Sequence, residues 1–251
     1  MPEVNKANRQ VCDVHFYNYT DKTPFLDFDT ANTTTAGLSG ESVYAMAKGA
    51  KRISFPNPLE GTFSITAQVY PFKFFSLFSD GTVDNGADLR KTIDVTSDGQ
   101  KAISFEGVAS NISGVSISED GENWFSATVA DKVGDKGKVT LTVKPVDGVA
   151  PLTLKASTKY KVSYFNKTSG VKKITFNNKK LPKDYYVVMS TVDKDENGDL
   201  TPFHMIIYKA TVQRNFELSF TSEGDPAEVT ATFDILEDKD GNVLDFVEIT
   251  E

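Results

Sequence analysis

Acidic residues at alternate positions in the run Asp193-Lys194-Asp195-Glu196-Asn197-Gly198-Asp199 place oxygen atoms as a calcium loop does, with glycine sixth for the sharp turn. The match stops at the twelfth position, where a bidentate glutamate is required and His204 stands. Both flanks have strand patterns, so the segment is treated as an acidic hairpin turn, as is Glu237-Asp238-Lys239-Asp240-Gly241-Asn242. A phosphate-loop echo around Gly134-Asp135-Lys136-Gly137-Lys138-Val139 has Lys132 at the first glycine position and Val139 where a hydroxyl should hold magnesium. His15 and His204 are far apart with no cysteine beside either, so a metal site would have to be built mostly of carboxylates. A glycosidase pair is defined by its separation in space, and no Asp or Glu stands out. No residue is therefore assigned to catalysis, to a cofactor or to a metal, and the chain is expected to be no enzyme.

Composition points the same way. Among 251 residues there are 2 His, 1 Cys and 1 Trp, so the side chains that most often serve as nucleophile, general base or zinc ligand are scarce. Eighteen Phe supply too much packing material for a disordered chain. The net charge of −8 argues against a nucleic-acid reader whose grip comes from a basic surface. Cys12 stands alone, so no internal disulfide can form. The polar start from Met1 to Arg9 has no apolar run suited to a secretion signal, and no stretch approaches the roughly 20 apolar residues of a membrane helix. The expected setting for folding is a reducing cytoplasm, and the sequons at Asn18, Asn32, Asn111 and Asn166 are then accidents of a Thr- and Ser-rich chain.

The elements that would position any site are strands. Phe63, Ile65, Ala67 and Val69 alternate with Thr62, Ser64, Thr66 and Gln68, the period of a half-buried strand. The same period recurs at Val139/Leu141/Val143, Tyr160/Val162/Tyr164, Phe216/Leu218/Phe220 and Val229/Ala231/Phe233/Ile235. Turn pairs such as Asp98-Gly99, Asp120-Gly121 and Asn197-Gly198 punctuate them. The expected fold is mainly β: an antiparallel β-sandwich or barrel with one or two short helices, plus an inserted small β domain. Val43, Met46, Ala47 and Ala50 keep helical spacing, and Pro71 opens a short aromatic helix through Phe78.

Residues 92–183, with Trp124 after the turn at Glu119-Asp120-Gly121, form the expected inserted and possibly immunoglobulin-like domain, which leaves 1–91 and 184–251 as one discontinuous sandwich domain. Nine lysines and no acid fall between Lys155 and Lys183, whereas fifteen acids follow from Asp193 onward. One reading is two solvated surfaces; the other is a subunit with ends of opposite charge, suited to head-to-tail contact between copies. The polar stretch from Thr30 to Gly61 holds too much Gly and Pro for one regular element. It is expected to be a long loop fixed against a neighbouring subunit, or else a mobile surface loop.

Two segments carry a resemblance. Residues 61–81 run from a strand into the aromatic stretch Pro71–Phe78 and the turn Asp80-Gly81; residues 203–242 run from Phe203 through Arg214 and the strand at Val229–Ile235 to the turn at Asp240-Gly241. Together they resemble the major tail, or tail tube, proteins of tailed bacteriophages. That resemblance implies a structural virion protein made in the host cytoplasm. Its sandwich would join others in hexameric rings that stack head to tail into a conduit for DNA during ejection. The partners implied are copies of itself and other tail proteins, with DNA passing without specific binding, and no membrane. The alternative is a capsid decoration or adhesin-like β-sandwich that binds a shell or a host glycan; a carboxylate-dependent carbohydrate enzyme is a third.

Overall fold

The computed structural model describes residues 4–130, 136–143, 152–218 and 222–249. The first strands are β1 (Lys6–Ala7), β2 (Asp13–Asn18), β3 (Pro24–Phe28), β4 (Thr33–Ser39), β5 (Ser42–Ala47), β6 (Ala50–Pro56) and β7 (Glu60–Ala67), followed by a 3-10 helix at Phe72–Phe78. Next come β8 (Asp84–Thr96), β9 (Ile103–Val108), β10 (Ile112–Ser118), β11 (Phe125–Val129), β12 (Lys136–Val143) and β13 (Lys159–Lys173). The chain closes with β14 (Asp184–Asp195), β15 (Leu200–Val212), β16 (Val229–Leu236) and β17 (Leu244–Glu248). The architecture is mainly antiparallel β, of sandwich and half-barrel type, and divides into two compact units, Met1–Val83 with Ile174–Glu251, and Asp84–Lys173.

In the first unit one sheet runs β3-β2-β14-β15-β16-β7-β4, with β1 added to β14 and β17 to β15. The alternation of its strands buries one face. Phe63 and Phe233 stand directly opposite each other and stack with centroids 4.5 Å apart and planes 4° from parallel, while Phe16 reaches Phe233 at 5.3 Å. The short helix closes this core. Pro71 is extended, and its carbonyl accepts from the Phe74 amide at 2.9 Å. The three-residue repeat of a 3-10 turn then stacks Phe74 over Leu77, and Phe74, Leu77 and Phe78 are buried, with Phe28 against Phe74 at 5.0 Å. Phe75 is only half-buried, edge-on to Tyr70. Gly61 lets β4 and β7 approach, because a Cβ there would lie 2.6 Å from the Gly37 carbonyl oxygen.

The second unit orders its strands β8-β13-β10-β11-β12-β9. Strand β11 turns the corner: its first residues pair with β10 and its last with β12, so the sheet folds over a core of Ile103, Ile117, Val139, Leu141, Tyr160 and Val162.

Three expectations from the sequence are corrected. The helical spacing of Val43, Met46, Ala47 and Ala50 belongs to a hairpin, because Lys48 and Gly49 both take positive φ, 52° and 79°, and make the two-residue turn that matches strand twist. The stretch Thr30–Gly61 is not a loop but strand β4 and the β5–β6 hairpin. Phe216 and Leu218 lie outside any strand, since the Phe216 ring packs against Phe78 at 4.7 Å and Phe176 at 5.5 Å without a ladder; Phe220 falls outside the described residues. Lys132 and Gly134 of the phosphate-loop echo fall outside them as well.

Candidate functional site

The β5–β6 hairpin forms a two-stranded sheet of its own. Its register pairs Val43 with Phe55 and Ala45 with Ile53, so these four side chains share one face, which is wholly apolar. Val43, Ile53 and Phe55 are 59%, 57% and 55% exposed. The opposite face carries Tyr44, with the Lys51 ammonium 3.8 Å from its ring centroid. A two-stranded ribbon is marginal by itself in water, and burying each large apolar side chain is worth about 1.5–3 kcal/mol. The hairpin contains Lys48, Lys51 and Arg52 and no acid, so a partner surface that is apolar at its centre and acidic at its rim complements it.

The two edges of the large sheet differ. Edge strand β3 is five residues long, begins with Pro24, and carries Asp27, whose Oδ1 lies 2.9 Å from Nδ1 of His15 on β2; short length, proline and charge all discourage further pairing. Edge strand β4, Thr-Thr-Thr-Ala-Gly-Leu-Ser, has seven residues with neither charge nor proline. Among the described strands it pairs with β7 alone, so its outer amides and carbonyls form an open template for another strand.

The face of the sheet turned from the core has two halves. Over β4, β7 and β16 it is hydroxyl: Thr33 opposes Thr66, Thr35 opposes Ser64, and Thr66 opposes Thr230, the last pair hydrogen-bonded at 3.0 Å. The acid beside them, Asp234, accepts from Nε2 of Gln213 at 2.6 Å, and Lys209 is held by Asp184 at 3.5 Å. Over β2, β14 and β15 the face is aromatic, with Tyr17, Tyr186 and Tyr208 edge-to-face at 6.3 and 6.1 Å. The Tyr208 hydroxyl donates to Asp245, and that bond pushes its pKa up to about 12.

The residues singled out for chemistry lie apart. Asp195 Oδ1 accepts from the amides of Asn197 and Asp199 at 2.9 and 2.8 Å, and Asp238 accepts from those of Asp240 and Asn242 at 2.9 and 2.8 Å, so both carboxylates serve their own turns. Among the described residues no group of three or more His, Cys, Asp and Glu side chains could hold a metal ion. His15 and His204 sit on β2 and β15, strands that β14 separates. Within the lysine run, Lys155, Lys159, Lys173 and Lys180 meet Glu119, Asp94, Asp84 and Asp80 of their own units at 2.7 to 3.6 Å. The open edge and the bare hairpin face escape a search for chemical residue types. Their signal is period-2 alternation in Val43–Ala47 and Lys51–Phe55 on either side of Lys48-Gly49.

No helix of the described residues is long and apolar enough to cross a membrane. The sequence model of the YomU/Tube protein family matches residues 9–249. No curated protein matches the chain.

Proposed function

Because the chain belongs to the YomU/Tube protein family, a phage-associated family of tube proteins, we propose that it is a tail-tube subunit whose copies close into rings of six. The rings stack head to tail into a hollow tube, joined at its ends to other tail proteins, and DNA passes along it without being held. The subunit is a virion component with a structural task, and no substrate is turned over. The observation that carries this reading is the hairpin, a ribbon with one apolar face and three cations that its own subunit leaves uncovered. A second copy supplies what it needs, since the chain from Asp193 onward has fifteen acids against four bases. Contact between different patches on identical copies is heterologous and propagates into rings or filaments.

The hydroxyl half of the sheet face is the surface proposed to line the channel. Thr66 and Thr230 already exchange a hydrogen bond there, and the neighbouring lysine is neutralised by Asp184. Arg214 borders this wall beside Thr230 and Thr232, but Glu217 and Glu228 line the same hollow, so the wall offers the phosphate backbone few of the counterion-releasing contacts on which DNA binding depends, and DNA slides. Negative-stain electron microscopy with light scattering at rising protein concentration tests the assembly. Rings or hollow tubes wide enough for duplex DNA are expected; a monodisperse monomer at every concentration overturns the reading.

A further inference from the structure

On the second unit, the strand face turned away from the core bears two exposed aromatic rings, Trp124 at 38% and Phe165 at 44%. With Arg90, Gly114, Ser116 and Ser163 they line one shallow pocket. The register explains the convergence. Phe165 of β13 faces Arg90 of β8, Ser163 faces Ser116 of β10, and Ser116 faces Ser126 of β11, two residues beyond Trp124, so all point to the same side. Gly114, at φ +58°, makes room for the ring, because a Cβ there would lie 2.9 Å from Cδ2 of Phe165.

The pocket is built before any ligand arrives. Asp120 accepts from the Glu122 and Asn123 amides at 2.9 and 2.8 Å, from the Asn123 side chain at 2.6 Å, and from the Ser118 hydroxyl at 2.9 Å. That network fixes the two residues immediately before Trp124, which lowers the ordering cost of using it. Arg90 Nε donates to Ser163 Oγ at 3.0 Å, which orients the guanidinium; its two terminal nitrogens have no partner among the described residues.

We propose that this pocket binds an acidic saccharide. Flat, electron-rich ring faces suit the C–H faces of a pyranose, serine hydroxyls both donate to and accept from sugar hydroxyls, and the free fork of Arg90 matches a carboxylate or phosphate on the sugar. A patch of six residues is far short of the roughly 800 Å² per partner of a stable protein interface, which favours a small polar ligand over a protein. The site does not depend on tube assembly, and its test runs on unassembled and assembled protein alike.

Trp124 is the chain's one tryptophan, so the emission of the full chain reports on the pocket directly. Titration with hexagalacturonate is expected to give a saturable shift in emission, at least about tenfold stronger in affinity than with neutral maltohexaose, the worth of one charge-assisted contact. Arg90→Ala removes that preference, and Arg90→Lys, which keeps the charge but loses the fork, restores it only in part. Phe165→Ala weakens binding of both sugars by calorimetry while the unfolding midpoint stays put, as expected for an exposed residue. The proposal is overturned by no saturable signal up to about 10 mM sugar, weaker than the millimolar end of useful affinity. Equal affinity in Arg90→Ala overturns it too, as does an equal response to polyglutamate, which would leave charge alone as the cause.

Discussion

Strand β7 and the β5–β6 hairpin are neighbours in the chain and carry the same two-residue alternation, yet they meet opposite fates. In β7 the apolar set Phe63, Ile65 and Ala67 is fully buried, because β16 and β4 flank it and the 3-10 helix belongs to the same core. In the hairpin the apolar set Val43, Ile53 and Phe55 meets solvent. Alternation specifies which face of a ribbon seeks burial; it does not specify whether the covering surface belongs to the same chain. The hairpin is thus half of an interface, and β7 is half of a core.

Truncating the core aromatic tests the first half of that contrast and should have the largest effect. Phe233→Ala removes a ring stacked on Phe63 and tilted against Phe16, and is expected to cost about 3–5 kcal/mol, read as a lower urea midpoint. Assembly falls with it, because the folded subunit is depleted. A loss below about 1 kcal/mol would mean that the core relaxes around the gap and that the aromatic stack is dispensable.

The hairpin predicts the reverse pattern. Ile53→Asp combined with Phe55→Asp should leave the unfolding free energy of the monomer, from a urea titration, within about 0.5 kcal/mol of the parent, as for other exposed sites, while abolishing rings and tubes in the microscope. If these substitutions destabilise the isolated subunit as Phe233→Ala does, the face is covered by its own chain and the contrast with β7 collapses.

Much of the fold is legible in the sequence where burial follows local pattern. Tyr160, Val162 and Tyr164, and Val229, Ala231, Phe233 and Ile235, are all buried in the faces that their alternation selects. Val69 shows where the pattern outruns the element: β7 ends at Ala67, and Val69 is 67% exposed. At 43–50 two periods compete, and the spacing of Val43, Met46, Ala47 and Ala50 suits a helix as well as Val43, Ala45 and Ala47 suit a strand; Lys48-Gly49 decides, through a turn whose left-handed conformation is unfavourable for lysine. The saccharide pocket is harder to see. Arg90, Gly114, Trp124 and Phe165 are scattered over 76 positions from first to last, and only the register of β8, β13, β10 and β11 brings them together.

Trp124 sharpens the contrast, since it is exposed like the hairpin residues but held by its own loop. The Asp120 carboxyl is kept well below the usual carboxylate range by the Asn123 amide first, then the Asn123 side chain, the Glu122 amide and the Ser118 hydroxyl. A carboxyl whose pKa is depressed on folding stabilises the loop fully above its unfolded value of about 4 and loses that contribution as pH falls through the lower folded value. Trp124 emission should therefore be flat from pH 7 to about 4 and change only below that, and Asp120→Asn should show altered emission already at pH 7. The hairpin, with no carboxylate between Ser42 and Pro56, contributes nothing to that transition. A midpoint near neutral pH would assign the loop's order to some other group.

The smallest effect comes from the core itself. Tyr185 lies on β14 with its ring 5.0 Å from Phe25 and 5.8 Å from Phe16, and its hydroxyl is buried without a hydrogen-bond partner among the described residues. Burial, and then the negative charge of Asp80, push its pKa well above the ordinary tyrosine range, so the group stays a neutral hydroxyl at every working pH. A buried, unmatched hydroxyl costs its desolvation and returns nothing, whereas the ring keeps its contacts without it. Tyr185→Phe should therefore leave stability unchanged or raise it by up to about 1 kcal/mol, with ring formation unaffected. A loss of more than about 1 kcal/mol in the unfolding free energy from a urea titration would show that the hydroxyl has a partner within the folded subunit after all, and that this corner of the core, unlike the hairpin, is completed by its own chain.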